Sequence, residues 1–381
     1  MRKISKYINR SECVLTGKDS LEDLYTFKNF PVFMGCVESP IKEDLIADME
    51  WGIDPDTGVI QLSKLLPTNI LYLNQHNDGV GKVWRNHYEA FAKFLSKYGS
   101  KNVLEIGGAH DHIFKFYKEL NSGVSWTTVE PNPERITDPS IKIIKGWFDD
   151  GFSTDIPVDT VVHSHVFEHT YDPVSFMRHV GDFLKYGEMQ VFSLPSMIPM
   201  LENNFTNCLN FEHTVLLSEP VIEYILSLSG FRIIGKEYYG SPHSIFYATE
   251  KISMKNKSPI LPKEYDKNKI LFESYVKYHI NMVKKINDLI KNSDSPVYLF
   301  GAHIFSQYLI HFGLNVDSVV AILDNSEIKN NKRLYGTSLI VKSPKVLRGV
   351  GSVNVILKAG IYDEEIKKDI IDNINPNVTF W

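Results

Sequence analysis

Val103, Leu104 and Ile106 form a short apolar run that breaks at Gly107-Gly108, the pattern of a buried parallel strand entering a tight turn and then a helix. A second strand is expected at residues 126–131, closed by Glu130, and an alternating one begins at residue 141. Residues 158–195 read as strand, loop, helix, strand. Ahead of them Trp84, Tyr88, Phe91 and Leu95 recur at helical spacing, predicting an amphipathic helix against the sheet. A Lys- and Pro-rich link at about 251–265 precedes a long helix reaching about residue 292, with apolar positions Ile270, Phe272, Val276, Ile280, Val283 and Ile286. A second β-α-β-α-β succession follows. Residues 1–65 are cut by Pro31, Pro40, Pro55 and Pro67 into short pieces and are expected to be irregular. The expected fold class is therefore α/β: a Rossmann-like domain over 66–255, a small irregular N-terminal region at 1–65, and a second, smaller Rossmann-like domain over 256–381.

Composition narrows the class of partner. The 381 residues are 43% hydrophobic and 23% charged with a net charge of -5, so no basic excess points to nucleic acid and a small-molecule partner is expected. No apolar run approaches a membrane span, and the first ten residues lack the apolar core of a signal peptide. Cys13, Cys36 and Cys208 give no disulfide framework, which makes a reducing cytoplasm the expected location. The oligomeric state, monomer or dimer, stays open.

The turn at Gly107-Gly108 carries the first chemistry. An acidic residue closing the following strand, Glu130, can accept hydrogen bonds from both hydroxyls of a ribose, which points to an adenosine derivative. A pyrophosphate calls for G-x-G-x-x-G at a helix N-terminus, whereas here two adjacent glycines run into Ala109, His110 and Asp111. The Glu105-Ile106-Gly107 arrangement resembles motif I of the S-adenosylmethionine-dependent methyltransferases, whose cofactor carries an amino acid and no phosphate. The run containing Glu168, His169, Asp172 and Pro173 is similar to the segment that follows the fourth strand of those enzymes.

A narrower resemblance spans most of the chain. Phe211-Glu212-His213 with Ser218 and Gly230-Phe231, the strand Gly58 to Leu62, the Gly301-Ala302 turn and Asp324-Asn325 all resemble the deoxysugar C-methyltransferase family. The resemblance implies S-adenosyl-L-methionine as cofactor, S-adenosyl-L-homocysteine as product, and a nucleotide-linked sugar as substrate. It implies His213 as general base supported by Glu212, and cofactor contacts from Glu105, Gly107, Gly108, Glu130, Trp147, Phe148 and His165. Substrate contacts are expected from His76, Asn77, Asn210, His243, Ser244, Gly301 and His303, and His87 is a further candidate. The family's zinc-binding C-x-x-C knuckles are degraded: Thr16 stands in place of one thiolate and Asp54 and Thr57 in place of two others, leaving Cys13. No zinc is expected there, since structural zinc wants four thiolate or imidazole ligands. The family Tyr before H-E-H is Asn210 and a later Arg is absent, so the donors that would hold an enolate are missing and O-methylation of a hydroxyl is favoured. C-methylation of a keto-deoxysugar, a non-catalytic sugar-nucleotide-binding relative, and a purely scaffolding C-terminal domain stay open.

Overall fold

The computed structural model describes residues 1–72, 81–253 and 259–381, with the backbone alone for Ser241. The first 65 residues hold more regular structure than their prolines suggest. Strands β1 (Glu22–Pro31) and β2 (Leu45–Ile53) pair antiparallel, and β3 (Ile60–Leu62) pairs with β2 as well. Pro31 ends β1, Pro40 precedes a helical turn at Ile41–Glu43, and Pro67 precedes another at Thr68–Leu71. At such ends a missing N–H removes no ladder bond, so the prolines punctuate the sheet and the expected irregularity is corrected to a small sheet, antiparallel but for Arg2–Lys3, which pairs parallel with Leu45–Ile46 at its edge.

Two turns in this region share one hydrogen-bond pattern. The Cys13 N–H donates to the Lys18 carbonyl and the Gly17 N–H to the Cys13 carbonyl; likewise Asp54 donates to Val59 and Gly58 to Asp54. Between the turns, Cys13 Sγ lies 3.8 Å from Thr57 Oγ1, while Asp54 Oδ2 accepts from the Thr57 N–H (2.9 Å) and O–H (2.6 Å), and Ser20 donates to Oδ1. A buried hydrogen-bonded set thus stands where the resemblance places thiolates.

The central sheet is built from β4 (Asn102–Ile106), β5 (Ser125–Glu130), β6 (Ile141–Lys145), β7 (Thr160–Ser164), β8 (Met189–Pro195), β9 (Phe231–Tyr239) and β10 (Ser244–Lys251). Their order is β6-β5-β4-β7-β8-β10-β9, parallel except for β10. Alternate residues of each strand feed opposite layers. Val103 and Val162 pack under α1 (Lys82–Ser96) and α2 (His112–Leu120), whereas Leu104 and Val161 face the layer holding α3 (Pro173–Phe183) and α4 (Glu219–Leu228). Helix α3 starts sharply because Asp172 Oδ1 accepts the Ser175 N–H at 2.9 Å and Pro173 occupies the first turn. The strand order reverses between β4 and β7, and in such sheets ligands bind beyond the carboxyl ends of the strands at that reversal.

The C-terminal sheet repeats the plan with five parallel strands, β11 (Val297–Phe300), β12 (Val319–Leu323), β13 (Val341–Lys342), β14 (Val353–Leu357) and β15 (Val378–Phe380), ordered β13-β12-β11-β14-β15. It follows the long helix α5 (Tyr265–Lys291). The buried stripe of α5 runs Phe272, Val276, His279, Val283, Ile286 and Ile290, while the expected core positions Ile270 and Ile280 are exposed because they fall off that stripe. Asp44 and Arg333 form a buried two-pronged ion pair with both contacts at 2.6 Å, and Cys36–Val37 pairs with Arg333–Leu334, which fastens the N-terminal sheet to the C-terminal domain. Among the described residues no helix is long and apolar enough to cross a membrane.

Candidate functional site

The turn after β4 is shaped by what its glycines exclude. Gly107 has φ +71°, and a Cβ there would lie 2.7 Å from a methyl of Val166 in the loop after β7; a Cβ on Gly108 would meet the Glu105 carboxylate at 2.5 Å. Both positions therefore tolerate only glycine without local movement. Glu105 is buried, and its Oε2 accepts from the Trp126 indole N–H (2.9 Å) and the Thr128 hydroxyl (3.1 Å), so it braces β4 against β5 beneath the turn. Burial pushes its carboxyl up to about 7. Glu130 closes β5, is nearly buried, and accepts the Asn132 N–H at 2.8 Å; burial raises its pKa as well. Of the expected aromatic pair, Trp147 is exposed, edge-on to Tyr72 at 6.2 Å, and Phe148 packs against Phe152, His179 and Phe183 at the α3 layer. Phe148 is thus a packing residue, and Trp147 is the one open to a planar ligand.

A second group of side chains gathers around the loop after β7. His213 Nδ1 lies 2.8 Å from the Cys208 carbonyl. A carbonyl can only accept, so Nδ1 carries the proton and Nε2 holds the lone pair. Burial lowers the His213 pKa below its ordinary value, with the nearby Glu168 acting in the opposite direction. The resemblance implies Glu212 as the support of His213, but Glu212 Oε2 stands 3.5 Å from His169 Nδ1, and burial pushes its carboxyl up to about 7. Asn210 is buried, and its Oδ1 accepts the N–H groups of Glu212 (2.8 Å) and His213 (2.9 Å). Its place is to shape the turn that presents His213. Glu168 is wholly buried, 3.2 Å from His165 Nδ1 and 3.9 Å from His169 Nε2. Side chains from two separate segments, 165–169 and 212–213, therefore gather in one place, with the His213 ring edge-on to His169 at 5.1 Å.

His165 opens that loop in a left-handed conformation, φ 54°, rare for a residue with a side chain. Its Nε2 is 3.1 Å from Ser244 Oγ, and Ser244 Oγ is in turn 2.7 Å from His243 Nδ1, so three residues expected near the ligands do lie together. His87 joins them from α1, with Nε2 3.1 Å from Ser193 Oγ, and Trp84 stands edge-on to the His165 and His243 rings at 4.9 and 5.1 Å. Burial holds His165 and His243 down to about 3 and places His87 well below its ordinary value, so all three are neutral near pH 7.

Gly301 and His303 lie apart from this cluster, at the first turn of the C-terminal sheet. Gly301 has φ +101° with open space where a Cβ would point, the Ala302 N–H donates to Asp324 Oδ2 at 2.9 Å, and Lys329 pairs with the same oxygen at 2.9 Å. Burial brings the His303 imidazole down to about 4. Two links carry this domain toward the central cleft: the Tyr362 hydroxyl bonds to Trp84, and the Phe205 ring lies against Gly360. His76 and Asn77 fall outside the described residues. Sequence reasoning assigned no role to Glu168, His169 or Trp84; their place beside other titratable or aromatic groups depends on pairings across strands that no local spacing displays.

Comparison with known protein families finds no match, and no curated protein matches the chain. Among solved structures, an O-methyltransferase family protein from Burkholderia thailandensis is similar at 11% identity and TM-score 0.36, over 45% of this chain and 57% of its own. An S-adenosylmethionine-dependent methyltransferase from Mesorhizobium loti is similar at 14% identity and TM-score 0.36, over 42% of this chain and 96% of its own. The plantazolicin methyltransferase BpumL, solved in complex with a monoazolic desmethylPZN analog and SAH, is similar at 10% identity and TM-score 0.37, over 44% of this chain and 85% of its own. This chain therefore spans little more than half the length of the first of these.

Proposed function

We propose that this chain is an S-adenosylmethionine-dependent methyltransferase acting on a nucleotide-activated sugar, with a hydroxyl as the methyl acceptor. The observation that carries the reading is His213, a half-buried imidazole whose proton is held on Nδ1 by the Cys208 carbonyl and whose Nε2 is left as an acceptor. Cofactor fit is supported by the turn at Gly107-Gly108, where side chains are excluded, and by Glu130, a carboxylate at the carboxyl end of β5 suited to a ribose diol. Trp147 offers an exposed face to an adenine ring. When bound, the cofactor supplies a methyl group on a positively charged sulfur. The chain's own contribution is to hold the acceptor oxygen in line and to take its proton on His213 Nε2. The charge of Glu168 acts to raise the His213 pKa, which favours the imidazolium formed. Gly301 and His303 are assigned to the nucleotide end of the substrate.

The test is mass spectrometry of the protein incubated with S-adenosylmethionine and a panel of nucleotide sugars, with a gain of one methyl expected. Calorimetric cofactor binding without methyl gain on any acceptor would leave the binding-only reading. One observation favours C-methylation next to a keto group as the second reading. Tyr72 lies close enough to Glu212 and Glu168 for their charge to raise its pKa beyond the effect of burial, which places a phenol near the base after the loss of the family Tyr. Exchange of an α-proton of the sugar with deuterated water, without turnover, would decide for that reading.

A further inference from the structure

Three imidazoles from three separate elements converge at the carboxyl edge of the central sheet: His87 from α1, His165 after β7, and His243 just before β10. One ring nitrogen of each lies within 4.8 Å of the others. Each ring also has an outer partner. His87 Nε2 meets the Ser193 hydroxyl at 3.1 Å, His243 Nδ1 the Ser244 hydroxyl at 2.7 Å, and His165 Nε2 the same Ser244 hydroxyl at 3.1 Å. Metal-binding histidines are oriented in this way, with the second nitrogen held by a hydroxyl, carbonyl or carboxylate.

Two buried groups lack what a cation would supply. Among the described residues, His87 Nδ1 and both oxygens of Glu168 are buried without a hydrogen-bond partner. Leaving such buried atoms unmatched costs stability, and a divalent ion between the three rings would satisfy His87 Nδ1. The left-handed backbone of His165 brings its ring into the group at a conformational cost, a feature that concentrates at ligand sites.

We propose that His87, His165 and His243 form a three-imidazole site for a divalent transition metal of the zinc class. Zinc–nitrogen bonds of 2.0–2.1 Å in tetrahedral geometry want nitrogens roughly 3.3 Å apart, so the rings need to close by at most about 1.5 Å. Three nitrogen ligands leave one position for water or a substrate oxygen, as in zinc sites with an open place. Trp84 flanks two of the rings, which limits the size of what can reach that position. The site is separate from the N-terminal knuckles, where the absence of zinc was expected from missing thiolates, and it stands whether or not the chain transfers methyl groups.

The test uses the full chain, stripped with a chelator and titrated with cobalt and with zinc. The expected result is uptake of about one ion per chain, visible cobalt bands of a four-coordinate nitrogen and oxygen site, and no sulfur-to-cobalt charge transfer, which excludes Cys13. X-ray absorption of the zinc form should show the multiple scattering of about three imidazoles. His165→Gln and His243→Gln should each weaken binding by about a hundredfold or more, with folding checked by circular dichroism, whereas Cys13→Ser should not. Folded wild-type protein that takes up no ion, or binding unchanged in both folded histidine variants, overturns the proposal. If those variants fail to fold, the imidazole scattering of the wild type decides it alone.

Discussion

At His213 a single backbone carbonyl decides which nitrogen can act. With Nδ1–H committed to Cys208, only Nε2 can receive a proton, so His213→Ala should lower turnover by about a hundredfold or more while calorimetric cofactor affinity stays nearly unchanged. Burial lowers the pKa of this imidazole, so the acidic limb of kcat against pH should lie below 6.5. A limb at or above that value would remove His213 as the group that titrates. Glu105 leads to a stability prediction. Its carboxyl rises to about 7 in the folded chain against 4.5 when unfolded, so between those pH values the native state holds a proton that the unfolded state has lost. Stability must then fall as pH rises from 4.5 to 7, by about 3 kcal/mol from this group, and stay low above. Glu105→Gln retains an acceptor for Trp126 and should flatten that part of the profile, measured by denaturant unfolding of the cofactor-free chain at pH 5 and pH 8.

Among the elements, the turn after β4 was readable in advance because only glycine suits a strand that must reverse so tightly. What the spacing of residues could not contain is the reason for each glycine, which lies across the sheet in Val166 and within the strand in Glu105. Gly107→Ala should cost about 1–2 kcal/mol from its left-handed backbone, with a further steric cost from Val166 Cγ2 at 2.7 Å. Pairing it with Val166→Ala should relieve the steric part; comparing the double variant with the two single ones by thermal unfolding measures that coupling. Helix α5 was legible as a helix, yet two of its six expected core positions are exposed, because several apolar faces fit a 27-residue pattern and only the packed partner selects one. The N-terminal prolines misled for a related reason: proline forbids the middle of a strand and permits its ends, and only strand pairing shows which it occupies.

At the scale of the whole molecule, the N-terminal sheet and the C-terminal domain are joined through Asp44 and Arg333, more than 280 residues apart in sequence. Asp44→Ala leaves a nearly buried guanidinium unpaired and should cost about 3 kcal/mol, with earlier proteolytic cleavage in the first 65 residues. Replacing both partners by apolar residues should recover much of that loss, since two buried charges are costly to desolvate even when paired. Unchanged stability in the single variant would mean that the strand pair at Cys36–Val37 and contacts such as Gln307 Nε2 to the Phe33 carbonyl hold the two parts together without the ion pair.

Local pattern alone determined the two parallel-strand units, the glycine turn and the acid at the end of β5, because strand and helix periods and turn chemistry are properties of neighbouring residues, whereas the Phe211-Glu212-His213 run was singled out by the family resemblance. It also singled out His165, His243 and Ser244, without indicating that they touch. Only the tertiary structure decided that His87 joins them, that Cys208 rather than Glu212 sets the His213 tautomer, and that Glu168 is buried between histidines. Those arrangements depend on strand order and register, which bring together side chains that are up to 156 residues apart, and burial then moves their proton affinities by amounts that composition does not encode.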